Sequence, residues 1–218
     1  MTRHHRPHLV ALALCAAMAA TVALPTTTLA ADAQVLTAAL ATFGRANSGD
    51  SAAIEPAAEQ LVRLADAEPA DPVLRAYAGA ATAMKASTTI LPWKKMGYAD
   101  DGLAMLDKAL ALLTPAHDAP LYRGVPASLE VRFTAARTFL ALPSMFNRQP
   151  RGTKLLDDVL HSPALEGSPM GFKAAVWMRA GLEATRAGQK EQARQWLQRV
   201  ADSGTPEAAA AQARLKEL

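Results

Sequence analysis

Apolar residues recur at helical spacing over long stretches of the chain, and no stretch alternates apolar and polar residues between hairpin signals. This pattern predicts an all-α protein. Helices are expected to begin near Asp32, Ala53, Asp71, Asp100, Pro126, Arg151, Ser168 and Lys190, with a last one near Pro206. Asp71-Pro72 and Ser168-Pro169 each offer an N-cap oxygen followed by proline at the first helical position, where the missing N–H costs nothing. Breaks are expected at Asn47-Ser48-Gly49, Leu91-Pro92, Thr114-Pro115, Leu142-Pro143, Ser162-Pro163 and Ala187-Gly188, because proline and glycine interrupt helical backbone.

Short helices in succession call for a search for repeats. The second helices of the expected pairs share a small residue placed before a large one on the same face: Ala57 with Leu61, Gly102 with Leu106, Gly152 with Leu156, and Ala193 with Leu197. Each is closed by a proline, at positions 69, 115, 163 and 206. In the last pair, Trp177, Gly181, Gly188, Ala193, Leu197, Val200 and Pro206 are spaced much like the signature positions of a tetratricopeptide (TPR) repeat, which this stretch resembles. The resemblance is strong over residues 172–207 and partial over 32–163, where the small residues step by 45, 50 and 41 positions and exceed the regular repeat length of about 34. It implies a TPR-like α-solenoid of about four antiparallel helix pairs, with the alanine-rich stretch from Pro206 to Leu218 as a C-terminal capping helix.

The N-terminus changes which residues that fold should contain. A basic stretch from Thr2 to His8 precedes an uncharged run from Leu9 to Leu24 and a small-residue region that ends at Ala30 or Ala33. This is the pattern of a cleavable secretory signal peptide over residues 1–30, leaving one domain over 31–218; an uncleaved anchor is the rival reading. The single cysteine, Cys15, falls within that leader, so the processed chain would carry no disulfide. Export without disulfides points to a bacterial periplasm. With Arg3 and Arg6 removed, the basic residues number 21 against 20 acidic ones, and nucleic acid is an unexpected partner.

Two segments resemble each other. Leu91-Pro92-Trp93-Lys94-Lys95-Met96-Gly97-Tyr98 and Leu142-Pro143-Ser144-Met145-Phe146-Asn147-Arg148-Gln149-Pro150 each open with Leu-Pro, carry an aromatic and basic residues, and lead to Gly102 and Gly152. In a solenoid, equivalent loops align on one edge. Trp93, Lys94, Lys95, Tyr98, Phe146, Arg148 and Arg151 would then form a cationic, aromatic patch for an anionic ligand such as a lipid headgroup, a peptidoglycan fragment or a peptide. Alternatively, Trp93 and Phe146 plug the seam between helix pairs. Arg123 is a further candidate, either for a partner or for an ion pair with Glu130 or Asp118. First helices of the pairs, which line the concave face in the family resembled, offer Arg75, Tyr77, Lys85, Glu130, Arg132, Arg137, Lys173 and Arg179, a set biased towards positive charge.

Motifs for nucleophilic, phosphate-binding or zinc chemistry are absent from the sequence. His117 and His161 stand far apart, so no metal or other cofactor is expected. Asp100-Asp101 and Asp157-Asp158 are adjacent residues on helices, pointing about 100° apart, and do not converge as acid and base. The sequence therefore implies a non-enzymatic TPR-like protein of the periplasm that binds a protein or peptide of the cell envelope, as an adaptor in a transport or assembly complex. The alternative is a binder of a small anionic ligand at the paired Leu-Pro segments.

Overall fold

The structure, a computed structural model, describes residues 26–218. It is all-helical in character. The helices are α1 (Thr26–Asn47), α2 (Ile54–Ala67), α3 (Pro72–Met84), α4 (Pro92–Ala111), α5 (Ala127–Ala141), α6 (Gln149–Leu160), α7 (Met170–Arg186), α8 (Lys190–Ala201) and α9 (Ala208–Glu217). Among the described residues the only strand pairing is a two-residue antiparallel ladder, Leu121–Tyr122 with Val125–Pro126. No described helix is long and apolar enough to cross a membrane. Most of the expected leader lies outside the described residues, and both expected processing points, after Ala30 and Ala33, fall inside α1.

Local chemistry accounts for most boundaries. Asp71 Oδ1 accepts from the backbone N–H groups of Val73 (2.7 Å) and Leu74 (3.1 Å), with Pro72 as the first helical residue. α7 ends where Gly188 turns left-handed at φ 71°, a conformation cheap only for glycine. Three expectations need correction. α1 already runs through Thr26 to Ala31, upstream of the start expected near Asp32. Ser168 does not cap α7: its hydroxyl donates to the Ala164 carbonyl (2.9 Å), and the helix begins at Met170. Most consequentially, α4 begins at Pro92 and not near Asp100, because a proline after an extended residue starts a helix as readily as it ends one. The two Leu-Pro segments thus differ: the first is helical, whereas the second is a 3₁₀ turn (Ser144–Phe146) closed by left-handed Asn147.

Packing follows the order of the chain. α2 packs on α1 and α3, α4 on α3, α6 on α5, α8 on α7 and α9 on α8, while α3 also touches α5. The small-before-large residues lie on the buried faces: Ala57, Leu61, Leu106, Ala193 and Leu197 are fully buried, and Leu156 nearly so. The glycines set the helix separations. A Cβ on Gly102 would lie 2.6 Å from both the Ala83 nitrogen and the Gly79 oxygen, and one on Gly181 would lie 2.8 Å from Leu197 Cγ. The core is a chain of apolar clusters, one joining α1 to α3, one joining α3 to α5, one joining α5 to α7 and one joining α7 to α9.

Candidate functional site

Four helices present stripes at helical spacing to one cleft of about 800 Å³. α1 supplies Phe43, Ala46 and Asn47, and α3 supplies Ala80, Ala83 and Met84. α4 adds Pro92, Lys95, Met96 and Ala99, and α5 adds Thr134, Arg137, Thr138 and Ala141. The segment from Leu142 to Phe146 closes one end, and Arg179 of α7 reaches in beside it. Alanines make the space: a larger side chain at Ala80, Ala83 or Ala99 would fill it. The volume falls within the range of about 300–1,000 Å³ typical of small-molecule sites.

The charge of the lining is one-sided. Lys95, Arg137 and Arg179 face the cleft, and among the described residues no aspartate or glutamate does. Arg137 donates to Asn47 Oδ1 (3.0 Å) and stands over the Phe133 ring at 5.6 Å, so its hydrogen-bond partner among the described residues is neutral. Burial pushes its guanidinium below the ordinary value, with Tyr77 acting in the opposite direction. Arg179 is lowered as well, first by burial, with Glu183 raising it and then Arg186 and Arg137 lowering it. Its Nη2 lies 3.1 Å from Glu183 Oε1 but without hydrogen-bonding geometry, and its Nε and Nη2 are buried and unpartnered. Glu183 is shared, since Arg186 also donates to it (3.0 Å). Two guanidinium groups that repel each other across an apolar cleft are suited to an anion, which would supply the missing charge and acceptors.

The nearest buried carboxylate is already neutralised. Glu130, one turn before Thr134 on α5, accepts from the Tyr77 hydroxyl and from Arg123 (2.8 Å), although its Oε2 is buried without a partner. Arg123 reaches it from the tip of the two-residue hairpin, where Arg123 and Gly124 are both left-handed (φ 50° and 84°). Tyr77 in turn meets Phe43 edge-on at 5.2 Å, which ties this group to the cleft wall.

The residues expected to form the patch are divided. Lys95 and Phe146 line the cleft together. Trp93 is 68% exposed beside it, with Lys94 exposed on the same turn. Tyr98 lies on another side of α4 under the Lys85 ammonium (4.6 Å), in a shallow hollow shared with Glu59 and Asp101. Arg148 and Arg151 both pair with Asp107 of α4, Arg148 at 3.0 Å, and stand over Phe139 at 5.5 and 5.4 Å. Arg123 pairs with Glu130, one of its two expected anions; Asp118 faces Arg132 instead (3.7 Å).

Arg137 and Arg179 stood in the sequence only as two cations among several. A stronger signal was available: residues 72–99 and 131–156 contain no aspartate or glutamate, and both segments border the cleft. His117 bonds the Thr114 backbone N–H and His161 the Asp157 carbonyl, each at 3.0 Å and outside the cleft. Among the described residues no group of three or more potential ligands could hold a metal ion. No known family model matches the chain, and no curated protein and no solved structure matches it either.

Proposed function

We propose that this chain is an exported, non-enzymatic, TPR-like helical-repeat protein of the periplasm whose cleft binds an anionic ligand with an apolar body. The observation that carries the reading is that Arg137 and Arg179 both enter a large apolar cleft whose described lining holds no acid, Glu183 beside Arg179 lying outside that lining. Sequential packing of the helices, with the small-before-large residues on their buried faces, supports the repeat reading. The leader pattern at the N-terminus supports export. Met84, Met96 and Met145 give the walls an adaptable lining that suits a flexible apolar chain.

The chemistry recognised is a carboxylate on an apolar body, which either an acyl chain or the C-terminus of a peptide provides. The adaptor reading corresponds to the second source, a partner protein that inserts its C-terminal residues. Calorimetric titration separates them. Octanoate is expected to bind at least about tenfold more tightly than octanol, the worth of a charge-assisted hydrogen bond, and Arg137→Gln is expected to erase the difference. An apolar pentapeptide with a free C-terminus, compared with its amidated form, tests the adaptor source. Equal affinity for octanoate and octanol, or no binding of octanoate and of either peptide, would overturn the reading.

A further inference from the structure

Seven large hydrophobic side chains are exposed among the described residues; two of them, Met96 and Met145, line the cleft, and two more, Ile90 and Trp93, flank the cleft-lining Pro92 in sequence. Ile90 is 90% exposed and Met145 71%. Met96 and Met145 belong to the cleft lining itself, and Trp93 stands one turn before Met96 on α4. Nothing in the described part of the chain covers them.

The rim is also basic. Lys94 and Lys95 are exposed on the first turn of α4, and the nearest acids in sequence, Asp100 and Asp101, lie more than a turn further along the helix. Exposed tryptophan and aliphatic side chains flanked by lysines form the combination that settles at an anionic membrane interface, with rings and chains at the headgroup level and ammonium groups on the phosphates. A protein partner of the same charge preference would present acids, which Ile90 and Met145 at such exposure do not complement.

Resting on the cleft reading above, we infer that the mouth of the cleft is a docking surface for an anionic lipid bilayer, on which Ile90, Trp93, Met96 and Met145 enter the interface, Lys94 and Lys95 meet the headgroups, and an acyl carboxylate passes from bilayer to cleft. The bilayer thereby becomes the ligand's source, and the acyl chain rather than a peptide its body.

The test is flotation with vesicles, using protein purified from the envelope of an exporting host so that its N-terminus is the one processing leaves. Vesicles of phosphatidylglycerol mixed with phosphatidylcholine are expected to carry the protein, and vesicles of phosphatidylcholine alone are not. Lys94→Gln weakens the partition by roughly fivefold, the worth of one lysine near an anionic surface. Ile90→Ser with Trp93→Ser abolishes it. Ile90, Trp93 and Lys94 are exposed and outside the cleft lining, so both variants keep the wild-type circular dichroism and bind octanoate in solution as the wild type does. Absence of flotation with the anionic vesicles, equal flotation with neutral ones, or variants that float undiminished would each overturn the inference. Octanoate binding measured in parallel reports on the cleft independently, so failure at the membrane is distinguishable from failure of the cleft.

Discussion

Gly102 offers a test of the packing that builds the cleft. An alanine Cβ there would sit 2.6 Å from the Ala83 nitrogen and the Gly79 oxygen and 2.8 Å from the Ala83 Cβ. Two of those atoms are backbone and cannot rotate away, so α3 and α4 must separate. Overpacking of this kind costs about 1–3 kcal/mol, and backbone contact places it near the upper end. Alanine's helix propensity returns up to about 1 kcal/mol. The net loss is about 2 kcal/mol, a fall in Tm of roughly 4–8 °C for a chain of this size. Gly97 is the internal control: it lies on the same helix, and its Cβ would meet nothing within 4 Å. Gly97→Ala is therefore expected to raise Tm by roughly 2–4 °C. Thermal unfolding followed by circular dichroism compares the two directly. Shifts of the same sign, or a Gly102→Ala protein at least as stable as the wild type, would refute the account of how α3 and α4 meet. Because Ala83 and Ala99 line the cleft nearby, Gly102→Ala should also weaken octanoate binding.

Further expectations concern the charged groups. Arg137→Met removes a desolvated cation whose partner is a neutral amide, so Tm should hold or rise while octanoate affinity falls at least about tenfold; a large loss of stability would make Arg137 structural instead. Burial lowers both arginines, so the unfolded chain holds these protons more tightly and stability from this source rises only as pH climbs through their strongly alkaline titration. Both stay charged between about pH 6 and 9, so octanoate affinity should be flat there and fall only as the ligand's own carboxylate protonates near about pH 4–5. A calorimetric midpoint near neutrality would assign recognition to another group. Arg123→Ala leaves the buried Glu130 with the Tyr77 hydroxyl but without its cation. Discounted for the half-exposed arginine, this should cost about 2 kcal/mol in chemical denaturation, and an unchanged midpoint would show the pair to be idle.

The helical class was legible because it depends on short-range chemistry. Asp71-Pro72, Gly188 and the small-before-large faces of α2, α4, α6 and α8 each act within a few residues or across one helix contact. Leu91-Pro92 misled because proline marks a boundary without saying on which side the helix lies. The cleft was less legible for a different reason. Its lining comes from α1, α3, α4, α5 and α7, so Arg137 and Asn47 meet across 90 positions. Arg148 and Arg151 looked equivalent to Lys95 in sequence, yet Asp107, on another helix, draws them away. Periodicity shows which face a side chain takes, but not which neighbour waits there.

The central claim is that the cleft is where the ligand sits, and methionine methyl groups report on it directly. Met84, Met96 and Met145 line the cleft, whereas Met170 and Met178 lie outside it. With the methyls isotopically labelled, titration with octanoate is expected to shift the resonances of Met84, Met96 and Met145 together, saturably, and to leave Met170 and Met178 in place. Shifts confined to Met170 and Met178, or no saturable shift of the first three, would contradict it.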